Sequence, residues 1–191
     1  MKKIDIYKML ESITSDGTHY RVNNEEMLHL KRFFYSEPKR QGIDKVIVSI
    51  LKSNVKYMKH LEYVQHVKVF NGYMYCSSVH ILIRTETELT NGFYNYLFES
   101  ISAPDYFPQI EVYNAFIKES IKDSASIPDN MPKTTNNNQL STALKDKYLF
   151  DTHYLRMVIQ AGFEKDISIL SSGALYAKNN ISEIFVMPKI M

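Results

Sequence analysis

The chain changes its hydrophobic period near residue 60. Before that point apolar residues recur at helical spacing, and after it they alternate. The clearest helical stretch runs from Asp44, a plausible N-cap, to about Lys59. At about 100° per residue, Val46, Ile47, Ile50, Leu51, Tyr57 and Met58 share one broad face. Lys45, Lys52, Lys56 and Lys59 fall in a narrow stripe opposite. A strand, with its period of two, would not sort the charges in this way.

Two shorter helices are predicted upstream. One spans residues 3–14, with Ile6, Leu10 and Ile13 on one side, and closes at Asp16-Gly17. The other begins at Asn23 or Asn24 and runs to about Tyr35, with a short strand at Thr18–Val22 before it. Downstream, Tyr63–Phe70 alternates and meets Asn71-Gly72, a strong hairpin signal. Tyr73–Arg84 reads as the return strand, and Phe93–Ser100 and Ile110–Lys118 as further strands. Residues 123–146, with Pro128, Pro132 and Asn136-Asn137-Asn138, read as a long loop or insertion. Asp151 then caps a helix over Thr152–Ala161 that Gly162 ends. Asp166–Ser171, Ala174–Lys178 and Ile184–Met187 finish the chain as strands. The expected class is α+β, with an N-terminal helical extension over 1–42 and one module over 43–191.

Composition narrows the picture without naming a function. The chain has 191 residues, 45% of them hydrophobic, which suits one sizeable core. A net charge of +2, from 23 basic and 21 acidic residues, makes placement of charge more informative than its sum. One cysteine, Cys76, excludes an intrachain disulfide and a multi-Cys zinc site. It lies on an alternating strand with no nearby cation, so a buried inert thiol is expected. The start, Met-Lys-Lys-Ile-Asp-Ile, lacks an uninterrupted apolar run, and no stretch reaches the roughly 20 apolar residues that span a bilayer. A soluble, cytoplasmic protein with no membrane partner is expected. Tyr-rich, Trp-free usage points to an AT-rich genome, such as that of a phage.

No Gly-x-Ser-x-Gly, Gly-rich phosphate loop or paired-carboxylate motif occurs. His60 and His66 flank Glu62, and Asp151 precedes His153 by two, but neither is a ligand spacing on a predicted helix. The expectation is a protein that is not an enzyme and carries no cofactor or metal.

Three local sequences carry a resemblance. Asn71-Gly72-Tyr73-Met74-Tyr75-Cys76-Ser77-Ser78-Val79-His80-Ile81-Leu82 resembles the stretch of bacterial sliding clamps (the DNA polymerase III beta family) in which a hairpin Gly leads to Thr-Asp-Gly-His-Arg-Leu. His80 and Leu82 fall on the family's His and Leu and Ser77 stands for its Thr, while Ser78 and Val79 replace Asp and Gly. Pro104-Asp105-Tyr106-Phe107-Pro108 is similar to the Phe-Pro after a module's fifth strand. The ending Val186-Met187-Pro188-Lys189-Ile190-Met191 resembles the Val-Met-Pro-x-x-Leu tail that closes those clamps. The likeness covers roughly residues 43–191, with 123–146 unmatched.

This resemblance implies a DNA-clamp-like module, with two helices packed on a curved antiparallel sheet, acting as a DNA-replication processivity factor. In the family, two such helices face double-stranded DNA and touch phosphates without reading sequence. Here they would offer Lys45, Lys52, Lys56 and Lys59, then His153, Arg156 and Gln160. The family's partner cleft, which takes short peptides of DNA polymerases and clamp loaders, would correspond to His80, Leu82, Val186, Met187, Pro188 and Met191. Family rings hold six modules, so a one-module chain is expected to form a homo-oligomer.

Plainer readings stand beside these. Lysines on one helix also simply solvate it, and Leu82 and Val186 also read as core. A clamp-like accessory or inhibitor could bind replication proteins without encircling DNA. A static DNA-binding protein would instead use Lys31, Arg32, Lys39 and Arg40 of the N-terminal helices.

Overall fold

The computed structural model describes residues 42–131, 141–145 and 147–189. The chain divides into Met1–Arg40 and Gln41–Met191, and everything described belongs to the second unit. The helices expected upstream of residue 42, the cations Lys31, Arg32, Lys39 and Arg40, and Met191 lie outside the described residues.

The described chain is mixed α+β. Helix α1 (Ile43–Tyr57) leads through a short 3-10 turn at Glu62–Val64 to β1 (Val67–Phe70), β2 (Tyr73–Ser77), β3 (Ile81–Glu86), β4 (Gly92–Tyr94) and β5 (Ser100–Ile101). Helix α2 (Gln109–Phe116) follows, then β6 (Ile121–Ser126), β7 (Ser141–Leu144), β8 (Tyr148–Asp151), helix α3 (Thr152–Gln160), β9 (Asp166–Leu170), β10 (Leu175–Lys178) and β11 (Ser182–Val186). Nine strands form one antiparallel sheet in the order β5-β4-β1-β2-β3-β11-β10-β9-β6, and β7-β8 is a separate hairpin.

Alternation along the strands gives the sheet two different faces. One face sends Val67, Val69, Met74, Cys76, Ile81, Ile83, Ile184 and Val186 into a core shared with Val46, Ile47, Ile50 and Leu51 of α1 and Leu155 and Val158 of α3. The other carries Tyr75, Leu82, Leu170, Ala174 and Phe185, packed against Tyr113 of α2, with Phe116 partly buried against them. The two clusters are separated by the sheet itself.

Several predicted elements hold. Asn71 and Gly72 have φ of 51° and 77°, the left-handed pair a two-residue hairpin turn requires. Asp151 does cap α3, accepting from the His153 backbone N–H at 2.8 Å, and Gly162 at φ 86° follows the helix end.

Others are corrected. Gly42, not Asp44, is the N-cap of α1, and Asp44 lies in its first turn, where an acid favours the helix dipole. Lys59 lies beyond the last helical residue, Tyr57. The single return strand Tyr73–Arg84 is two strands, β2 and β3, joined by a tight turn closed by Ser78 N–H donating to the Ile81 carbonyl at 2.9 Å. Alternation runs through both strands, so only the Ser77-Ser78 pair signalled the reversal. Phe93–Ser100 likewise splits into β4 and β5.

Ile110–Lys118, read as a strand, is largely helix α2. Its apolar residues alternate loosely, but Ile110, Tyr113 and Phe116 also recur every three residues, and packing on the sheet selects that period. The stretch 123–146, read as a loop, contains most of β6 and all of β7. Three helices, not two, therefore cover the sheet among the described residues.

Candidate nucleic-acid and partner interface

Helices α1 and α3 pack against each other on one face of the sheet. They run antiparallel. At one end, a Cβ built on Gly42, just before α1, would lie 3.6 Å from the carbonyl oxygen of Ala161, just after α3. At the other end, Asn54 of α1 reaches the Ser77 carbonyl, while His80, three residues on, lies 5.8 Å from the Tyr154 ring at the start of α3.

Asn54 fixes this end. Its side chain is buried, and Nδ2 donates to the Val64 carbonyl at 2.6 Å and the Ser77 carbonyl at 2.9 Å. One amide thus ties α1 to the connection before β1 and to the end of β2. Nothing in the hydrophobic pattern marked it.

Lys45, Lys52 and Lys56 are exposed on α1, and Lys59 is exposed just beyond it. Lys52 Nζ lies 5.8 Å from the Tyr96 ring centroid and Lys56 Nζ 4.7 Å from that of Tyr57. Lys52, Val55, Lys56, Lys59 and Tyr96 together wall an open concavity to which, among the described residues, no carboxylate contributes. His153 and Gln160 are exposed on α3. Arg156 is half-buried and donates to the Met131 carbonyl at 3.4 Å, so part of its hydrogen-bonding capacity is spent on its own chain.

The residues expected in a partner cleft are brought together in part. The Met187 backbone N–H donates to the His80 carbonyl at 2.9 Å, which carries the pairing of β11 and β3 one step past the strand ends. Two concavities flank this junction. The first, about 210 Å³, lies between the β2–β3 turn and α2 and includes Ser77, Val79, Leu82, Gln109, Val112 and Met187. The second, about 680 Å³, includes Val79, His80, Asp151, Tyr154, Met187 and Pro188. Val186 belongs to neither. It pairs with Ile81 and points, fully buried, into the core under α1 and α3, because the residue before an outward-facing Met187 must face inward.

Electrostatics in the second concavity are moderate. Burial pushes the Tyr154 phenol above its ordinary value, opposed by a hydrogen bond with Ser78 and assisted by the Asp151 charge. Lys189 closes the far side: Nζ donates to Ser141 Oγ at 2.7 Å and lies 3.8 Å from Asp151, and its backbone N–H donates to the Leu149 carbonyl. The C-terminal segment thereby bridges the main sheet and the β7–β8 hairpin.

A polar cluster that the sequence reading missed lies on the opposite face. Glu183, on β11, has only 4% of its side chain exposed. It accepts from Arg84 at 2.7 Å, Tyr113 at 2.6 Å and Tyr176 at 2.9 Å. Desolvation pushes its carboxyl up, but the three donors outweigh it and hold the group below its ordinary value. The guanidinium carbon of Arg84 in turn stacks 3.4 Å from the Tyr73 ring centroid. Glu183↔Arg84 register and the outward phase of β3 and β11 were the available signal, but only after pairing was known.

Among the described residues no group of three or more His, Cys, Asp or Glu side chains gathers as a metal site, and no helix is long and apolar enough to cross a membrane. No family model, curated protein or solved structure matches this chain.

Proposed function

We propose that the chain is a non-catalytic, DNA-associated module similar in role to a bacterial sliding-clamp module. The observation that carries this reading is the shared face. Two antiparallel helices lie side by side on one sheet, and the first presents Lys45, Lys52 and Lys56 outward. Flexible ammonium groups on a rigid platform suit phosphates and do not suit base edges, so the contact would be sequence-independent and salt-sensitive. His153 and Gln160 extend the polar surface across α3, whereas Arg156 contributes less because Met131 engages it.

Ring closure requires several copies. A ring of six modules, the family's number, would need six chains here. Sedimentation or native mass measurement at micromolar concentration, with and without duplex DNA, tests this form. Assembly supports the ring, and a strict monomer under both conditions removes it.

The two concavities beside His80 and Met187 favour a second reading, a clamp-like accessory that binds DNA polymerase or clamp-loader peptides without encircling DNA. Pull-down with a clamp-binding peptide, compared between the parent chain and Met187→Ala, tests it. Retention lost on substitution supports the cleft, and equal retention removes Met187 from it.

A further inference from the structure

The concavity walled by Lys52, Val55, Lys56, Lys59 and Tyr96 has a volume of about 380 Å³. Its three lysines are exposed, while Val55 and Tyr96 are half-buried. Lys52 and Lys56 stand on successive turns of α1, where like charges repel. The helix dipole favours Lys56, in the last turn, but does not reach back to Lys52. Neither Lys56 nor Lys59 forms an ion pair with a described residue. Lys56 Nζ lies over the Tyr57 ring, which attracts the ammonium without neutralising it.

Hydrogen bonds fix the frame around these cations. Gln65 Nε2 donates to the Met58 carbonyl at 3.3 Å and to the Lys59 carbonyl at 3.1 Å, which holds the backbone just beyond α1. On the other wall, Tyr96 sits in the β4–β5 turn. There Asn95 Oδ1 accepts from the Leu97 and Glu99 backbone N–H groups at 2.8 and 3.1 Å. Glu99, the acid of that turn, does not line the concavity, and its carboxylate accepts from Asn95 Nδ2 at 2.8 Å.

Cations beside half-buried apolar groups suit a compact anion joined to a less polar body. An internal phosphodiester carries one negative charge, whereas a terminal phosphate carries about 1.5 to 2 at neutral pH. Lysines lining a space about the size of one nucleotide match the terminal group better.

We propose that this concavity takes the phosphorylated end of a DNA strand, with the terminal phosphate at Lys56 and Lys59 and the adjoining sugar against Val55 and Tyr96. The inference rests on the lysine face meeting DNA, and adds that one end of that face prefers a strand end to the middle of a duplex.

Two short blunt duplexes of one sequence supply the test, one with 5′-phosphates and one with 5′-hydroxyls. Affinity of the full chain for each is measured by fluorescence anisotropy at one salt concentration. The phosphorylated duplex should bind about tenfold more tightly, the effect of one charge-assisted hydrogen bond. A chain carrying both Lys56→Gln and Lys59→Gln, at exposed positions, should bind the two equally. Lys45→Gln should weaken both by a similar factor and keep the preference. Equal affinities for the parent chain overturn the strand-end site while leaving the lysine face as a DNA contact. A preference that survives in the double variant overturns its placement at Lys56 and Lys59. If neither duplex binds, the proposed function falls and this inference with it.

Discussion

The Met187 backbone N–H donates to the His80 carbonyl at 2.9 Å, joining the end of the chain to the turn between β2 and β3. That bond places the two concavities on either side of one junction. Met187 lines both. Leu82 is 5% exposed and supports the same wall from beneath. The two residues should therefore behave differently when truncated. Leu82→Ala should destabilise the chain by about 2–4 kcal/mol, the usual range for a buried leucine. Met187→Ala, at a half-buried position, should cost distinctly less. Urea denaturation of both variants measures this, and equal losses would remove the distinction between support and surface.

Asn54 should be worth more than its place on a lysine-bearing helix suggests. Removing its amide leaves the buried Val64 and Ser77 carbonyls without that donor. At about 1–3 kcal/mol for each unsatisfied group, Asn54→Ala should lower stability by roughly 2–4 kcal/mol in urea denaturation. Asn54→Asp should be no better, because a carboxylate offers no donor to either carbonyl.

Acid should weaken the fold through Glu183. Its folded-state carboxyl is held below the ordinary value, so the cluster with Arg84, Tyr113 and Tyr176 stabilises fully above the unfolded pKa of about 4.3. That contribution is lost as pH falls through the lower folded value. Glu183→Ala should cost about 3–5 kcal/mol near neutral pH, because it strands the Arg84 charge. Melting temperature followed from pH 7 to pH 3 should fall less steeply in the variant than in the parent chain.

Cys76 should be silent in the native state. It is fully buried on β2, and burial pushes its thiol well above the ordinary range. A thiol reagent at pH 8 should label it only as fast as the chain opens. Prompt stoichiometric labelling of folded protein would contradict the placement of β2.

Much of the fold was legible in the sequence where local and tertiary preferences agree. The lysine stripe and the Asp151 cap announced α1 and α3, and Asn71-Gly72 announced its hairpin, because each rests on chemistry within a few residues. Helix α2 was not legible. Ile110 to Phe116 fits either period, and the choice is made by Tyr113 reaching Glu183, seventy residues away. The β2–β3 turn was hidden for the opposite reason: no Gly or Pro marks it, and only the Ser77-Ser78 pair interrupts an otherwise strand-like run. Missing that turn put His80 in mid-strand, whereas it sits exposed at a tip. Val186 was placed in a cleft from a resemblance alone. Strand parity sends it to the core and gives the surface to Met187. Gln109 was invisible for want of any sequence signal, since its place comes from the two acceptors its amide nitrogen meets, the Tyr63 carbonyl and Ser77 Oγ.

In the proposed function, the face built by α1 and α3 meets DNA through its lysines. Affinity for an arbitrary duplex is measured across a salt series for the parent chain and for a variant carrying Lys→Ala at positions 45, 52, 56 and 59. The parent chain should bind weakly, with log affinity falling linearly with log salt, and the variant should show a slope smaller by about 0.9 for each phosphate contact removed. Equal affinity and equal slope for the two proteins would contradict it.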